Sequence, residues 1–272
     1  MAERSPSDTM IGTAGRTTVW LTFLDGLALD QIAAYRALLD DGEQIRLDRF
    51  KVEGARTEFL VGRALLRSVL SLHATDIAPA EWRFSTNAYG RPHVCHPLPA
   101  PVQFNLSHTR GLVALVTGPE ERIGVDVEWI GRGAPGRDVA RRYFTADEAD
   151  EIEAGADDSE RSERFFALWT LKEAYIKARG MGLALPLDAF VFDCSSQDIG
   201  VRFDTARIED IGERWHLERR ILGRDHRLAL ACPADGKPVA FAEYVPQVGD
   251  PTRVEPKRAE PFGKMVGRAA TP

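Results

Sequence analysis

The sequence predicts an α+β fold made of two similar halves related by a pseudo-twofold within one monomer. Three observations predict it. Residues 53–72 and 163–179 read as two long helices, the first with Phe59, Leu60, Leu65, Leu66, Val69 and Leu70 as its apolar stripe. Each is followed by short strand-like runs separated by turn residues. The run Leu112–Thr117 at the end of the first series is echoed by Leu228–Cys232 in the second. Each half is therefore expected to be a long helix packed on an antiparallel sheet. A functional site is expected at their interface, because ligands favour such junctions.

The elements follow in order along 272 residues, a length that suits one large or two modest domains. Residues 1–16 mix Ser, Thr, Gly and charge and are expected to be disordered. The first half, 17–120, opens with a strand at 19–23 and a helix at 30–39, with Asp30 as its N-cap. The long helix follows, then strands at 82–85, 103–106 and 112–117, with turn chemistry at Asn87–Pro92. The second half, 121–245, has a strand at 123–127, short helices at 137–143 and 146–154, and the second long helix. Strands at 190–193, 201–204, 215–221, 227–232 and 239–244 complete it. Residues 246–272 are rich in Pro, Gly, Lys and Arg without periodicity, and are expected as a disordered or extended tail.

Composition excludes several classes. With 44% apolar and 28% charged residues the chain is ordinary globular material. No apolar run approaches the roughly 20 residues of a bilayer span, and the N-terminus lacks the apolar core of a secretory signal. Cys95, Cys194 and Cys232 lie far apart, which argues against a disulfide framework or structural zinc and for a reducing, cytoplasmic setting. The net charge of -6 argues against nucleic acid as a partner. It is concentrated, however, in residues 145–163, which hold nine acids and one base. The remainder is slightly basic, so the net charge does not exclude a small polyanionic ligand. Lysine occurs only at 51, 172, 177, 237, 257 and 264, so each lysine carries extra information.

Four features bear chemistry. In Ile123-Gly-Val-Asp-Val-Glu128, strand alternation puts Gly124, Asp126 and Glu128 on one face, with Gly124 leaving space beside the acids. Two same-face carboxylates repel unless a hard cation such as Mg²⁺ joins them; the plain alternative is a solvated strand edge. On the second long helix, Phe166, Trp169, Glu173, Ile176 and Lys177 share a face. Glu173 there is either a metal ligand or general base, or the partner of Lys177 in an internal salt bridge. The scarcity of lysine favours function for Lys172 and Lys177. In Phe104-Asn-Leu-Ser-His-Thr-Arg-Gly111, Ser107 and His108 point to opposite faces of a strand, which suits phosphate binding better than a nucleophile–base pair. Finally, Arg46, Arg49, Lys51, Arg56, Arg63, Arg67 and Arg91 form a basic set suited to phosphate, or simply a solvated helix face.

Tyr89-Gly-Arg-Pro92, Asn105-Leu-Ser-His108, Ile123–Glu128 and Trp169-Thr-Leu-Lys-Glu-Ala-Tyr-Ile-Lys177 together resemble the 4′-phosphopantetheinyl transferases of the surfactin-synthetase-activating type. The resemblance implies transfer of phosphopantetheine from coenzyme A to a serine of an apo carrier protein, releasing adenosine 3′,5′-bisphosphate. It implies Mg²⁺, with Mn²⁺ as a substitute, on Asp126, Glu128 and Glu173, and catalytic roles for Glu173 and Lys177. It implies coenzyme A contacts for Arg46, Arg56, Arg63, Arg91, Ser107, His108 and Lys177. Carrier proteins are then the macromolecular partners, with no nucleic acid and no membrane. The chain departs from the family where lysine is frequent, reading Glu43-Gln-Ile-Arg46, and where Gly-Arg-Pro replaces Gly-Lys-Pro. Two other readings are a catalytically silent coenzyme A- or carrier-binding module and a different Mg²⁺-dependent phosphoryl-transfer enzyme. The intact acidic and lysine set and the motif order argue against both.

Overall fold

The structure, a computed structural model, describes residues 15–194, 199–209, 212–234, 236–253 and 255–258. The chain opens with β1 (Thr18–Phe23), α1 (Leu29–Ala34), α2 (Asp41–Asp48) and α3 (Glu53–His73). Strands β2 (Arg83–Thr86), β3 (Pro92–His96), β4 (Gln103–Thr109), β5 (Leu112–Gly118) and β6 (Gly124–Trp129) follow. Next come α4 (Arg137–Tyr143), α5 (Ala146–Glu153) and α6 (Asp158–Arg179). The chain ends through β7 (Phe190–Asp193), β8 (Gly200–Phe203), β9 (Trp215–Leu222), β10 (His226–Pro233), β11 (Ala240–Glu243) and β12 (Lys257–Arg258). The fold is α+β, as expected.

The described residues form two compact units. The first takes those of Met1–Ser85, Pro92–Pro119 and Lys237–Glu260. Its sheet has the order β12-β11-β1-β5-β4. In register, Trp20 of β1 lies beside Leu115 of β5 and Ala242 of β11. The apolar stripe of α3 is buried: Ala64, Leu65, Leu66 and Val69 are fully inaccessible and join Trp20, Tyr35 and Trp82 in one core. The two indoles keep their polar ends satisfied, Trp20 Nε1 donating to Thr117 Oγ1 and Trp82 Nε1 to Ser71 Oγ, each at 2.9 Å.

Several expectations need correction here. The helix at 30–39 is α1 followed by a tight 3-10 turn at Tyr35–Leu38. Ala28, not Asp30, is the N-cap; Asp30 lies within the first turn, where its charge faces the helix dipole. β4 runs on through Ser107 and His108 to Thr109, because every residue from 103 to 109 finds a partner on β5. The strand expected at 239–244 as part of the second half joins the first unit instead. It does so by parallel pairing with β1, so this sheet is not wholly antiparallel.

Residues 246–253 and 255–258 of the expected tail make specific contacts that their composition does not suggest. Ser68 and Gln247 exchange hydrogen bonds, with Ser68 Oγ donating to Gln247 O and Gln247 N donating to Ser68 Oγ. Tyr35 and Tyr244 donate their hydroxyls to the carbonyls of Pro246 and Pro251, both at 3.0 Å. β12 then pairs with β11. The bonds to Ser68 and Tyr35 join residues far apart in the chain, so no local pattern announces them. Residues 1–14 and 259–272 lie outside the described residues.

The second unit takes the described residues of Thr86–Arg91, Glu120–Gly236 and Pro261–Pro272. Its sheet, β6-β10-β9, is antiparallel throughout. α6 begins five residues before the expected start, because Asp157 caps it by accepting from Glu160 N. It ends at Gly180, whose φ of 67° is left-handed. A Cβ on Gly124 would stand 2.1 Å from the carbonyl oxygen of Ala174 and 2.5 Å from Ala178 N. Gly124 is therefore the point where β6 meets the α6 backbone, and does not open room for a ligand as its spacing suggested. Along α6, Phe165, Phe166 and Trp169 pack with Phe144 toward α4 and α5, while Tyr175 packs against Phe190 and Trp215.

Candidate active site

Strand and helix cross at Gly124, and the register that follows builds a site. On β6 the face of Gly124 continues through Asp126 to Glu128. On α6 the matching residues are Ala178, Lys177, Glu173 and Trp169. Lys177 Nζ donates to Asp126 Oδ1 at 2.6 Å and to Val125 O at 3.3 Å. Trp169 Nε1 donates to Glu128 Oε1 at 3.0 Å, and Arg132 Nη2 donates to Glu128 Oε2 at 2.8 Å. Asp126 is buried; Glu128, Glu173 and Lys177 are half-buried.

The electrostatics follow from this crowding. Burial, then the nearby Asp126 charge, lift the Glu173 carboxyl to about 7, and Lys177 offsets only part of the rise. Glu128 is raised for the same two reasons, against the pull of Arg132 and the Trp169 hydrogen bond. Glu128 and Glu173 are thus both raised by burial and by the Asp126 charge, and with Asp126 they make a set of three carboxyl donors. Their all-oxygen chemistry fits a hard divalent cation. Among the described residues, however, no three acidic, His or Cys side chains stand together as a formed metal cluster. The cation adjoining Asp126 in this arrangement is the Lys177 ammonium.

Arg91 has other work than its motif suggested. Its Nη1 donates to the carbonyls of Lys177 and Ala178, and its Nη2 to those of Glu121 and Ile123, at 2.9–3.2 Å. Asn87 Nδ2 adds a bond to Gly180 O at 3.1 Å, while Asn87 Oδ1 shapes the turn by accepting from Tyr89 N and Arg91 N. Gly90, with φ of 85°, lets that turn close. The Asn87–Arg91 turn thus clamps the C-terminal carbonyls of the helix that carries Glu173 and Lys177. Lys172 is likewise structural: fully buried, its Nζ donates to Glu148 Oε2 and to the carbonyls of Leu187 and Phe190 at 2.6–2.8 Å. Its rarity signalled importance, but of packing.

The remaining expected residues belong to the first unit. His108 is exposed on β4, its Nδ1 3.2 Å from Glu58 Oε2, and Ser107 is buried on the opposite face. Arg63 is ion-paired with Glu43 and lies over the Phe84 ring, 4.3 Å from its centroid. Arg67 is fully buried, pairing with Glu43 and donating to Trp82 O at 2.6 Å. Glu43 also closes the capping box of α2 with Asp40. The glutamate that departs from the family pattern is therefore the counter-charge for two helix arginines. Arg46 is exposed beside Phe59, and Arg56 stands 3.7 Å from Asp48. Sequence reasoning missed Arg132, whose only local signal is that it is the first base after Glu128.

Residues 122–231 match the family model of the 4′-phosphopantetheinyl transferase superfamily. That stretch contains Asp126, Glu128, Glu173 and Lys177. The chain is similar to the 4′-phosphopantetheinyl transferase Sfp of Bacillus subtilis (strain 168), 36% identical over 149 residues, which are 54% of this chain and 62% of that protein. It is similar to the phosphopantetheinyl transferase of a Thraustochytrium species, 33% identical over 190 residues, 64% of this chain and 66% of that protein. It is also similar to the L-aminoadipate-semialdehyde dehydrogenase-phosphopantetheinyl transferase of Homo sapiens, 28% identical over 202 residues, 70% of this chain and 65% of that protein. Each match spans just under two thirds of the relative. The resemblance read from the motifs is borne out.

Proposed function

We propose that this protein transfers the 4′-phosphopantetheine group of coenzyme A to a serine of an apo carrier protein, releasing adenosine 3′,5′-bisphosphate. The observation that carries the reading is the Asp126–Glu128–Glu173–Lys177 constellation where β6 crosses α6, inside the segment that matches the superfamily. The carrier serine Oγ attacks the pantetheine-side phosphorus. An Oγ–P bond forms and the bond to the bridging oxygen breaks.

Glu173 takes the serine proton. A carboxyl lifted to about 7 is far better matched to that task than an ordinary glutamate. Lys177, already seated against Asp126, offers its ammonium to the charge that builds on the pyrophosphate. Trp169 holds one oxygen of Glu128 and so fixes the direction of the other. Asp126, Glu128 and Glu173 would hold Mg²⁺, or Mn²⁺ in its place, which when bound supplies charge neutralisation across the pyrophosphate.

His108, Ser107, Arg46, Arg56 and Arg63 are proposed for the nucleotide part of coenzyme A. Arg91 is assigned to the helix clamp, because its donors already serve four carbonyls. Among the described residues no helix is long and apolar enough to cross a membrane. A monomer acting in the cytoplasm is the setting proposed.

The test is direct. Protein, coenzyme A and Mg²⁺ are incubated with fatty-acid, polyketide and peptide apo carriers, and the carriers are weighed by mass spectrometry. A phosphopantetheine gain on any of them is expected. No gain on any, with coenzyme A still bound, would turn the reading toward a silent binding module.

A further inference from the structure

We propose that Arg132 is a counter-charge gate on Glu128, neutralising that carboxylate while no divalent cation is bound and releasing it when one arrives. The inference rests on the metal-dependent reading above and adds a residue that reading does not need. Among the described residues, Glu128 accepts from two partners of different character. Trp169 belongs to an aromatic cluster with Tyr143, Phe144 and Phe165, stacking on Phe165 at 5.7 Å between ring centroids. Its indole is held among those rings. Arg132 is the reverse: its side chain is 51% exposed, while that of Glu128 is 15% exposed.

The backbone around Arg132 is built to hold it at the rim. It ends a single 3-10 turn, Ile130–Arg132, tied down by Ile130 N donating to Asp225 O at 2.8 Å. Gly133 follows with φ of 74°, a conformation an L-residue resists, and its N closes the turn on Ile130 O. Gly131 lies against the Trp129 indole so closely that a Cβ would stand 2.4 Å from the ring. The anchor is rigid, and from it the long side chain reaches Glu128 while its guanidinium lies over the Phe166 ring at 5.1 Å. The guanidinium thus holds the ring contact and the Glu128 bond together, and the ring contact does not depend on Glu128.

The physical competition is simple. A half-exposed ion pair is weak, so Arg132 is displaceable. Yet while it stands on Oε2 it both fills an acceptor position and repels an incoming cation. Removing it therefore favours cation binding, whereas a merely structural arginine would leave affinity unchanged or lower it.

Equilibrium Mn²⁺ binding, measured by electron paramagnetic resonance without coenzyme A, tests this. Arg132→Gln is compared with wild type, and the pair is repeated in a Glu128→Gln background. We expect Arg132→Gln to tighten Mn²⁺ about fivefold. The gain should vanish when Glu128 is absent. An unchanged or weaker affinity overturns the gate. So does a fivefold gain that persists without Glu128, which would mark a general field effect, and so does the absence of binding in both proteins. Because no transfer is measured, a failure here is distinct from a failure of the carrier-mass experiment.

Discussion

Lys177 on α6 donates to Asp126 on β6 at 2.6 Å, a pair 51 positions apart in the chain. The expected alternative was a local pair with Glu173, one turn earlier. The cross-element pair matters because it leaves Glu173 facing more negative than positive influence. Burial and Asp126 outweigh Lys177 in setting its acidity.

Lys177→Met should therefore raise the Glu173 carboxyl further above about 7. A ¹³C-carboxylate titration of the cation-free protein checks the direction. Transfer should fall about 100-fold as the charge facing the pyrophosphate is lost. An unchanged titration would show that Lys177 does not act on Glu173.

Glu173→Gln should stabilise the cation-free fold, and increasingly so with rising pH. The folded carboxyl titrates at about 7 against an ordinary 4.5, so between those values the folded state holds a proton that the unfolded state has released. Stability contributed by this group is thus lost as pH rises from about 4.5 to about 7. Melting curves should show little difference between variant and wild type near pH 4. Near pH 8 the variant should gain on the order of 1–3 kcal/mol. A gain at pH 4 that disappears at pH 8 would reverse the assignment.

Gly124→Ala should cost about 3 kcal/mol or more, because the three nearest atoms the new methyl meets are all helix backbone. Denaturant unfolding measures it. A variant as stable as wild type would show that β6 and α6 separate without penalty.

Arg91→Ala should destabilise by about 2–4 kcal/mol, since it removes the guanidinium donors from the part-buried carbonyls of Ala178 on α6 and Ile123 before β6. Arg91→Lys should recover less than half of that loss, because an ammonium lacks the fork that reaches both carbonyl pairs. If instead both variants melt like wild type and only coenzyme A affinity falls, Arg91 belongs to the nucleotide pocket.

The chemistry of the site was legible because it lies on two regular elements. Period-two alternation put Asp126 and Glu128 on one face, and helical spacing joined Trp169, Glu173 and Lys177. Local rules of this kind need no knowledge of the neighbour. Gly124 shows where they stop: the pattern marked a position without a side chain, but only the packed helix revealed that backbone fills the space. Arg63 and Arg67 suit phosphate by residue type, and only the packing showed Glu43 as the counter-charge of both. Arg91 read the same way until its donors were found on carbonyls.

What the sequence determined by itself was the α+β class, the two long helices and the acidic and lysine residues of the site. Each of these is encoded by periodicity over a few consecutive residues. What only the tertiary structure decided was that Lys177 pairs with Asp126 and that Glu43 stands against Arg63 and Arg67. It also decided that residues 237–258 return to the first unit, pairing in parallel with β1 and bonding to Tyr35 and Ser68. The physical reason is common to both. An ion pair or a strand pairing between distant residues is fixed by which groups are desolvated together, and that follows from the packing of elements rather than from the order of residues within one.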